Sequence, residues 1–271
     1  MWDSILKILE NKRAHGVEVR ILYDDVGCVA TLPALYADIA AEGFQVGVFN
    51  PFRPRLNAAT NYRDHRKICV IDGNVGFTGG INLADEYINQ KEKYGHWKDT
   101  AVLLRGEAVQ SLTEMFLELW QFTCHEFEPV RLSSNPLSQL AGFVQPYGDS
   151  PLDNFNLAEN VYMQILTSKN YVYITTPYLI LDNEMINAPL SAAQSGIDVR
   201  IITRTYQTSG MSTWLPAPII PSFCVQASAF LKHAGIYPCQ DVCQHDSTAI
   251  VGTTNVDFRS FYLHFECGVA F

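Results

Sequence analysis

His65 and Lys67 stand two residues apart inside residues 61–87, NYRDHRKICVIDGNVGFTGGINLADEY. With Asp72 they form H-x-K-x4-D, and Gly79-Gly80-x-Asn82 follows at a fixed distance. The segment ICVID alternates and is apolar enough for a buried strand. Side chains two apart on an extended chain share a side, so His65 and Lys67 point the same way. An imidazole beside an ammonium can attack a phosphate and neutralise its charge. The glycine pair lets backbone approach that phosphate, and Asn82 adds an amide donor. H-x-K triplets alone are common and fit a basic strand surface. The aspartate, paired glycines and asparagine in register make the constellation specific.

This stretch resembles the HKD motif of the phospholipase D superfamily, and HRKICVIDG with GFTGGINLADEY is most similar to bacterial cardiolipin synthases. The resemblance runs over most of the chain.

The chain has 271 residues, 48% of them hydrophobic and 17% charged, which describes a globular protein of one large or two ordinary domains. A net charge of −9 argues against a general nucleic-acid binder and against broad adhesion to anionic lipid, although a local basic pocket can still hold one head group. The seven cysteines lack regular spacing and read as buried thiols of a reducing compartment. Cys239 and Cys243 are the nearest pair, and no further His or Cys group completes a zinc site, so no metal or other cofactor is expected. No segment approaches the roughly 18 apolar residues of a membrane span. Full-length cardiolipin synthases are associated with the bacterial inner membrane, so the resemblance implies a cytoplasmic or peripheral fragment, or a member lacking membrane helices.

The pattern predicts a helix over 2–14, a strand over 17–25, a helix over 32–42 and a strand over 44–50 ahead of the motif. His15 reads as a cap of the first helix. A strand follows Trp97, then a helix over 106–123 ending near His125, a surface or capping residue. Residues 132–140 (LSSNPLSQL) read as a linker. Beyond it come the helix NLAENVYMQILTS, the strand YVYITTPYLI, a helix over 183–195 and the strand IDVRIIT. Gly16-Val-Glu-Val-Arg-Ile repeats as Gly196-Ile-Asp-Val-Arg-Ile, and AIVGTTNVDFRSFYLHFE repeats the glycine turn and asparagine of GFTGGINLADEY. Gly252 and Asn255 thereby correspond to Gly79 or Gly80 and Asn82. The expected fold is α/β (α+β mixed sheet), phospholipase D-like, in two homologous halves each with a mixed sheet flanked by helices. The halves are 1–131, cut at its N-terminal side by comparison with the family, and 143–271, joined by a linker over 132–142.

A second motif is expected near 238–246, where PCQDVCQHD contains no H-x-K-x4-D. From Thr205 to His245 only Lys232 and Asp241 are charged, and the stretch holds four of the 13 prolines and three of the seven cysteines. Shifted codon frames permit HIPDK at residues 204–211, LRAGVR at 223–229 and TPGFIHAKT at 232–244, each in family order. The expectation is a frameshift within about 204–245, leaving 205–245 with little reason to pack and Trp214, Phe223 and Phe230 exposed or collapsed.

The resemblance implies that two histidines act on a phosphodiester, one attacking phosphorus and the other moving protons. It makes His65 the candidate nucleophile, with Lys67 and Asn82 on the phosphate and Asp72 bracing the motif. Asp99 either orients His65 or is a strand-start turn residue. In the second half Gly252 and Asn255 serve phosphate, and Glu266 would orient a histidine that is absent. The implied donor and acceptor are phosphatidylglycerol at a membrane surface, with no nucleic acid. A phosphodiesterase of the same superfamily, or a binding module that keeps one phosphate site, are the competing readings.

Overall fold

The computed structural model describes residues 1–28, 39–52, 58–93, 96–127, 142–153, 155–180, 182–204, 230–234, 242–245 and 247–271. Helix α1 (Trp2–Ala14) ends on His15, whose Nδ1 lies 2.7 Å from the Asn11 carbonyl. The conformer φ 84° at Gly16 then turns the chain toward β1 (Arg20–Asp24). β1 pairs in parallel with β2 (Gln45–Phe49). Of the helix expected over 32–42, residues 39–41 are helical and 32–38 lie outside the described residues.

The motif region is a short strand β3 (Arg63–Asp64) followed by an antiparallel meander of β4 (Ile68–Ile71), β5 (Val75–Gly79) and β6 (Ala101–Arg105). Asp72 (φ 53°) and Gly73 (φ 64°) are the central residues of the tight turn between β4 and β5, closed by the Asn74 amide donating to Ile71 O at 3.0 Å, and both φ values are positive. Asp72 is exposed at this tip. The expectation that it braces the motif is corrected: it is an exposed turn residue, and a short polar side chain tolerates its positive φ.

Helix α2 (Val109–Cys124) buries Leu112, Leu119 and Trp120 and ends on His125 at φ 60°. Beyond it lie β7 (Gln145–Asp149), α3 (Leu157–Met163), β8 (Tyr171–Thr176), β9 (Leu179–Ile180), α4 (Asn183–Gln194) and β10 (Asp198–Arg204). β8 alternates half-buried and buried residues along its length, as expected for a strand with one face in the core. Then come β11 (Phe230–Ala234), β12 (Val242–His245), β13 (Thr248–Gly252), β14 (Val256–Asp257), the single turn α5 (Phe258–Tyr262) and β15 (His264–Ala270). The large mixed sheet runs β11-β10-β8-β12-β13-β15-β3, with β7 also on β15.

Two expectations change here. The stretch 205–245 is not uniformly unstructured: β11 pairs in parallel with β10, and β12 sits between β8 and β13. Main-chain ladders need no particular side chains, so poor patterning did not prevent them. Trp214 and Phe223 lie outside the described residues, as do the linker residues 132–140. The thiols also differ from expectation: among the described cysteines Cys267 is buried, Cys28 and Cys124 are half-buried, and Cys69 is exposed.

One hydrogen-bond pattern occurs twice. Gly80 N donates to Thr100 O at 3.1 Å and Ala84 N to Asn82 O at 2.9 Å. Thr253 N donates to Cys267 O at 2.8 Å and Asp257 N to Asn255 O at 2.8 Å. β5 and β6 therefore superpose in pattern on β13 and β15, matching Gly79 with Gly252, Asn82 with Asn255, Asp99 with Glu266, and Trp97 with His264.

Candidate active site

His65 follows β3, whose residues pair in parallel with the start of β15 (His264↔Arg63, Phe265↔Asp64). The His65 amide donates to Phe265 O at 3.0 Å, which brings residue 65 level with residue 266. β3 itself is pinned from beneath. Arg63 donates to Asp24 Oδ1 (3.3 Å) and Asn50 O (2.8 Å), and Asp24 Oδ2 accepts from the Asp64 amide (3.0 Å). Arg66 bonds Asp64 at 2.8 Å and lies over the Phe265 ring.

Across the strand junction His65 Nδ1 lies 3.0 Å from Glu266 Oε2 and 3.1 Å from Thr253 O. Glu266 is fully buried, and Thr253 Oγ1 donates to the same Oε2 at 2.5 Å. Burial alone would raise the Glu266 pKa. The neighbouring His65, with His264 and Lys67, overcomes that and holds the carboxyl well below its usual range. An ionised carboxylate on Nδ1 fixes the proton there and leaves Nε2 with its lone pair outward, the form a nucleophilic imidazole needs.

Of the two expectations for Asp99, orienting His65 or serving as a strand-start residue, the first is corrected: the carboxylate on His65 is Glu266. Asp99 Oδ2 accepts from Trp97 Nε1 and Oδ1 from the Thr100 amide, both at 2.8 Å. Asp99 and Glu266 occupy matching places in the repeated pattern, and Glu266 reaches the histidine of the opposite half. The reason lies in the strand order, since β15 runs alongside β3 whereas β6 ends beside β5. Desolvation raises the Asp99 pKa, opposed by the Trp97 bond.

Lys67 Nζ donates to the His65 carbonyl at 2.5 Å. Desolvation lowers its pKa, while Glu266, Asp64 and Asp99 act in the other direction, so Lys67 lies in the field of all three carboxylates. Asn82 is half-buried on the loop after β5. Asn255 is buried on the matching loop, its backbone N–H donating to Ser260 Oγ at 3.1 Å and its Oδ1 without a hydrogen bond among the described residues.

Gly79 and Gly252 have a structural reason to be glycine. A Cβ at Gly79 would stand 2.5 Å from Thr100 O and Ala101 Cα, and one at Gly252 would stand 2.7 Å from Cys267 O. Close approach of the next strand, rather than of a phosphate, is what the geometry displays at these two positions. Gly80 is buried and donates its amide to Thr100 O.

One residue escaped the sequence reading. His264 is a 10% exposed imidazole whose ring centroid lies 5.5 Å from that of His65, with Nδ1 3.4 Å from Glu266 Oε1. Its signal was available: H-x-E at 264–266 repeats the W-x-D of 97–99. The second-motif histidine has no counterpart in the described site. Val242 pairs with Val251 as Ile68 pairs with Thr78, so the place of His65 falls on residue 239, which is Cys239 and lies outside the described residues.

Among known proteins, the family profile "Cardiolipin synthase, PLD-like domain" matches residues 2–120 and 161–271. A cardiolipin synthase of Geobacillus thermodenitrificans is 35% identical over 97% of this chain and 54% of its own length. An uncharacterized protein of Streptococcus mutans is 45% identical over 98% of this chain and 59% of its own. The chain thus spans about half the length of the curated relatives it matches. Among solved structures, the phosphatidylserine synthase of Haemophilus influenzae superposes with a TM-score of 0.71 at 14% identity, over 99% of this chain and 73% of that one. This last likeness is one of fold.

Proposed function

Because this chain belongs to the cardiolipin synthase family of PLD-like proteins, we propose that it carries the phosphatidyl-transfer site of such an enzyme, with phosphatidylglycerol as donor and acceptor. The single observation that supports this most is the His65–Glu266 contact, an imidazole held through Nδ1 by a buried, ionised carboxylate, with Lys67 beside it. In this reading His65 Nε2 attacks the donor phosphorus and the bond to the leaving glycerol breaks. The hydroxyl of a second phosphatidylglycerol then displaces His65 from phosphorus and restores the imidazole. Lys67, Asn82 and Asn255 offset charge on the non-bridging oxygens. Asp99, by its place in the repeat, serves the second motif's position rather than His65. The substrate brings the site to a membrane surface, and no helix among the described residues is long and apolar enough to cross one.

The leaving glycerol needs a proton and the attacking hydroxyl must give one up, both tasks expected of a second motif that the sequence does not contain. That observation favours one other reading, a phosphate-binding site without turnover. Vesicles of labelled phosphatidylglycerol separate the two. Cardiolipin formed by the wild-type chain and lost in His65→Asn supports transfer. Saturable vesicle binding without product, abolished in Lys67→Met, supports the binding site. Neither product nor binding overturns both.

A further inference from the structure

We propose that His65, His264 and Glu266 form a site for one divalent transition-metal ion of the zinc class. Their ligand atoms all lie within 4.8 Å of one another. His65 Nδ1 lies 3.0 Å from Glu266 Oε2, and His264 Nδ1 lies 3.4 Å from Glu266 Oε1. Tetrahedral zinc with ligands at about 2.0–2.1 Å sets its donors about 3.3 Å apart, so donor atoms within 4.8 Å of one another close on an ion by side-chain rotation. Two imidazoles and one carboxylate are a donor set that zinc takes readily, leaving a position open to solvent or substrate.

The second observation is an unmet demand for partners. His264 is nine-tenths buried; its Nδ1 faces Glu266 Oε1 at a long 3.4 Å, and among the described residues its Nε2 has no hydrogen-bond partner. Buried polar atoms are ordinarily satisfied, and a bound ion would satisfy them together. The matching place in the other half shows what a purely structural residue does there: Trp97 gives its indole N–H to Asp99 at 2.8 Å. Tryptophan cannot ligate a metal, whereas His264 can. Lys67 opposes a cation here, and Glu266, Asp64 and Asp99, which act on that same lysine, offset it.

A bound ion takes the place of the His65 Nδ1 proton, which is released to solvent, and immobilises the imidazole. The inhibition that follows rests on the proposed role of His65; the binding does not. The test is calorimetric titration of zinc into metal-stripped full-length chain, with cobalt(II) absorption as the second readout. Wild type should bind one ion per chain with a cobalt spectrum free of thiolate charge transfer. His264→Trp, which restores the donor of the other half, and the smaller His264→Gln should each weaken binding at least about tenfold while keeping the wild-type circular dichroism. Absence of stoichiometric binding overturns the proposal. So does equal affinity in a folded His264 variant, or a thiolate band that assigns the ion to cysteines.

Discussion

His65 and Glu266 meet although 201 positions separate them, and what the site can do rests on that pair. Replacing the carboxylate by an amide keeps the shape and removes the charge that fixes the imidazole's proton. Glu266→Gln is therefore expected to slow phosphoryl transfer by roughly 10²–10⁴-fold with a small change in KM, whereas Asp99→Asn leaves the tautomer of His65 in place. Steady-state kinetics of the two variants check this. A second residue-scale prediction concerns Asp149, which is buried opposite Glu266 in the β7–β15 ladder. Desolvation lifts its pKa to about 6, against backbone bonds from Leu157 and Ala158 that favour the charged form. The folded chain therefore takes up this proton near pH 6 and the unfolded chain near pH 4. Its contribution to stability is greatest below that window and is lost as pH rises through it, by about 3 kcal/mol. Melting curves from pH 4 to 7 should show wild type losing stability relative to Asp149→Asn as pH rises. His65, Lys67 and Glu266 were all legible from their motifs. Their pairing was not, because it depends on which strand lies beside β3, and no local spacing encodes that.

At the scale of elements, the close contacts of β5 with β6 and of β13 with β15 account for one glycine in each pair. Gly79→Ala and Gly252→Ala each drive a methyl into a neighbouring backbone that cannot yield as a side chain would. Each should lower stability by about 1–3 kcal/mol in denaturant unfolding, with an intact overall circular dichroism spectrum. Most elements were legible from periodicity and stops: β1, β2, β8 and α4 lie within the stretches expected for them, and α2 and β10 each run one residue past theirs. β11 and β12 were not, since their pairing comes from ladders offered by β10, β8 and β13 rather than from their own patterning. Asp72 illustrates the converse. It is a residue of the motif by spacing, and the hairpin geometry gives it a turn to make.

Over the whole molecule, the sequence repeat and the repeated hydrogen-bond pattern agree, but the two halves do not stand apart. Leu104, Val109 and Leu112 pack with Val269 in one cluster, Thr78 Oγ1 lies 3.3 Å from Cys267 Sγ, and β15 ladders onto β3. Shared packing of this kind couples unfolding. Leu112→Ala, at a fully buried position, should destabilise by about 2–5 kcal/mol and shift one cooperative transition rather than split it. Calorimetry of the variant and the parent checks the claim. The same coupling lets a carboxylate near the C-terminus control a histidine near residue 65.

In the proposed reaction His65, oriented by Glu266, attacks phosphorus. A donor whose leaving group departs without a proton, a phosphatidyl p-nitrophenol, isolates that step from the missing second motif. Rapid quenching at alkaline pH followed by intact-mass and peptide analysis should find one phosphatidyl adduct per chain on His65, formed with a burst of nitrophenolate and absent in His65→Asn. A burst with the adduct on another residue, or none in the wild-type chain while the donor is bound, would contradict the account.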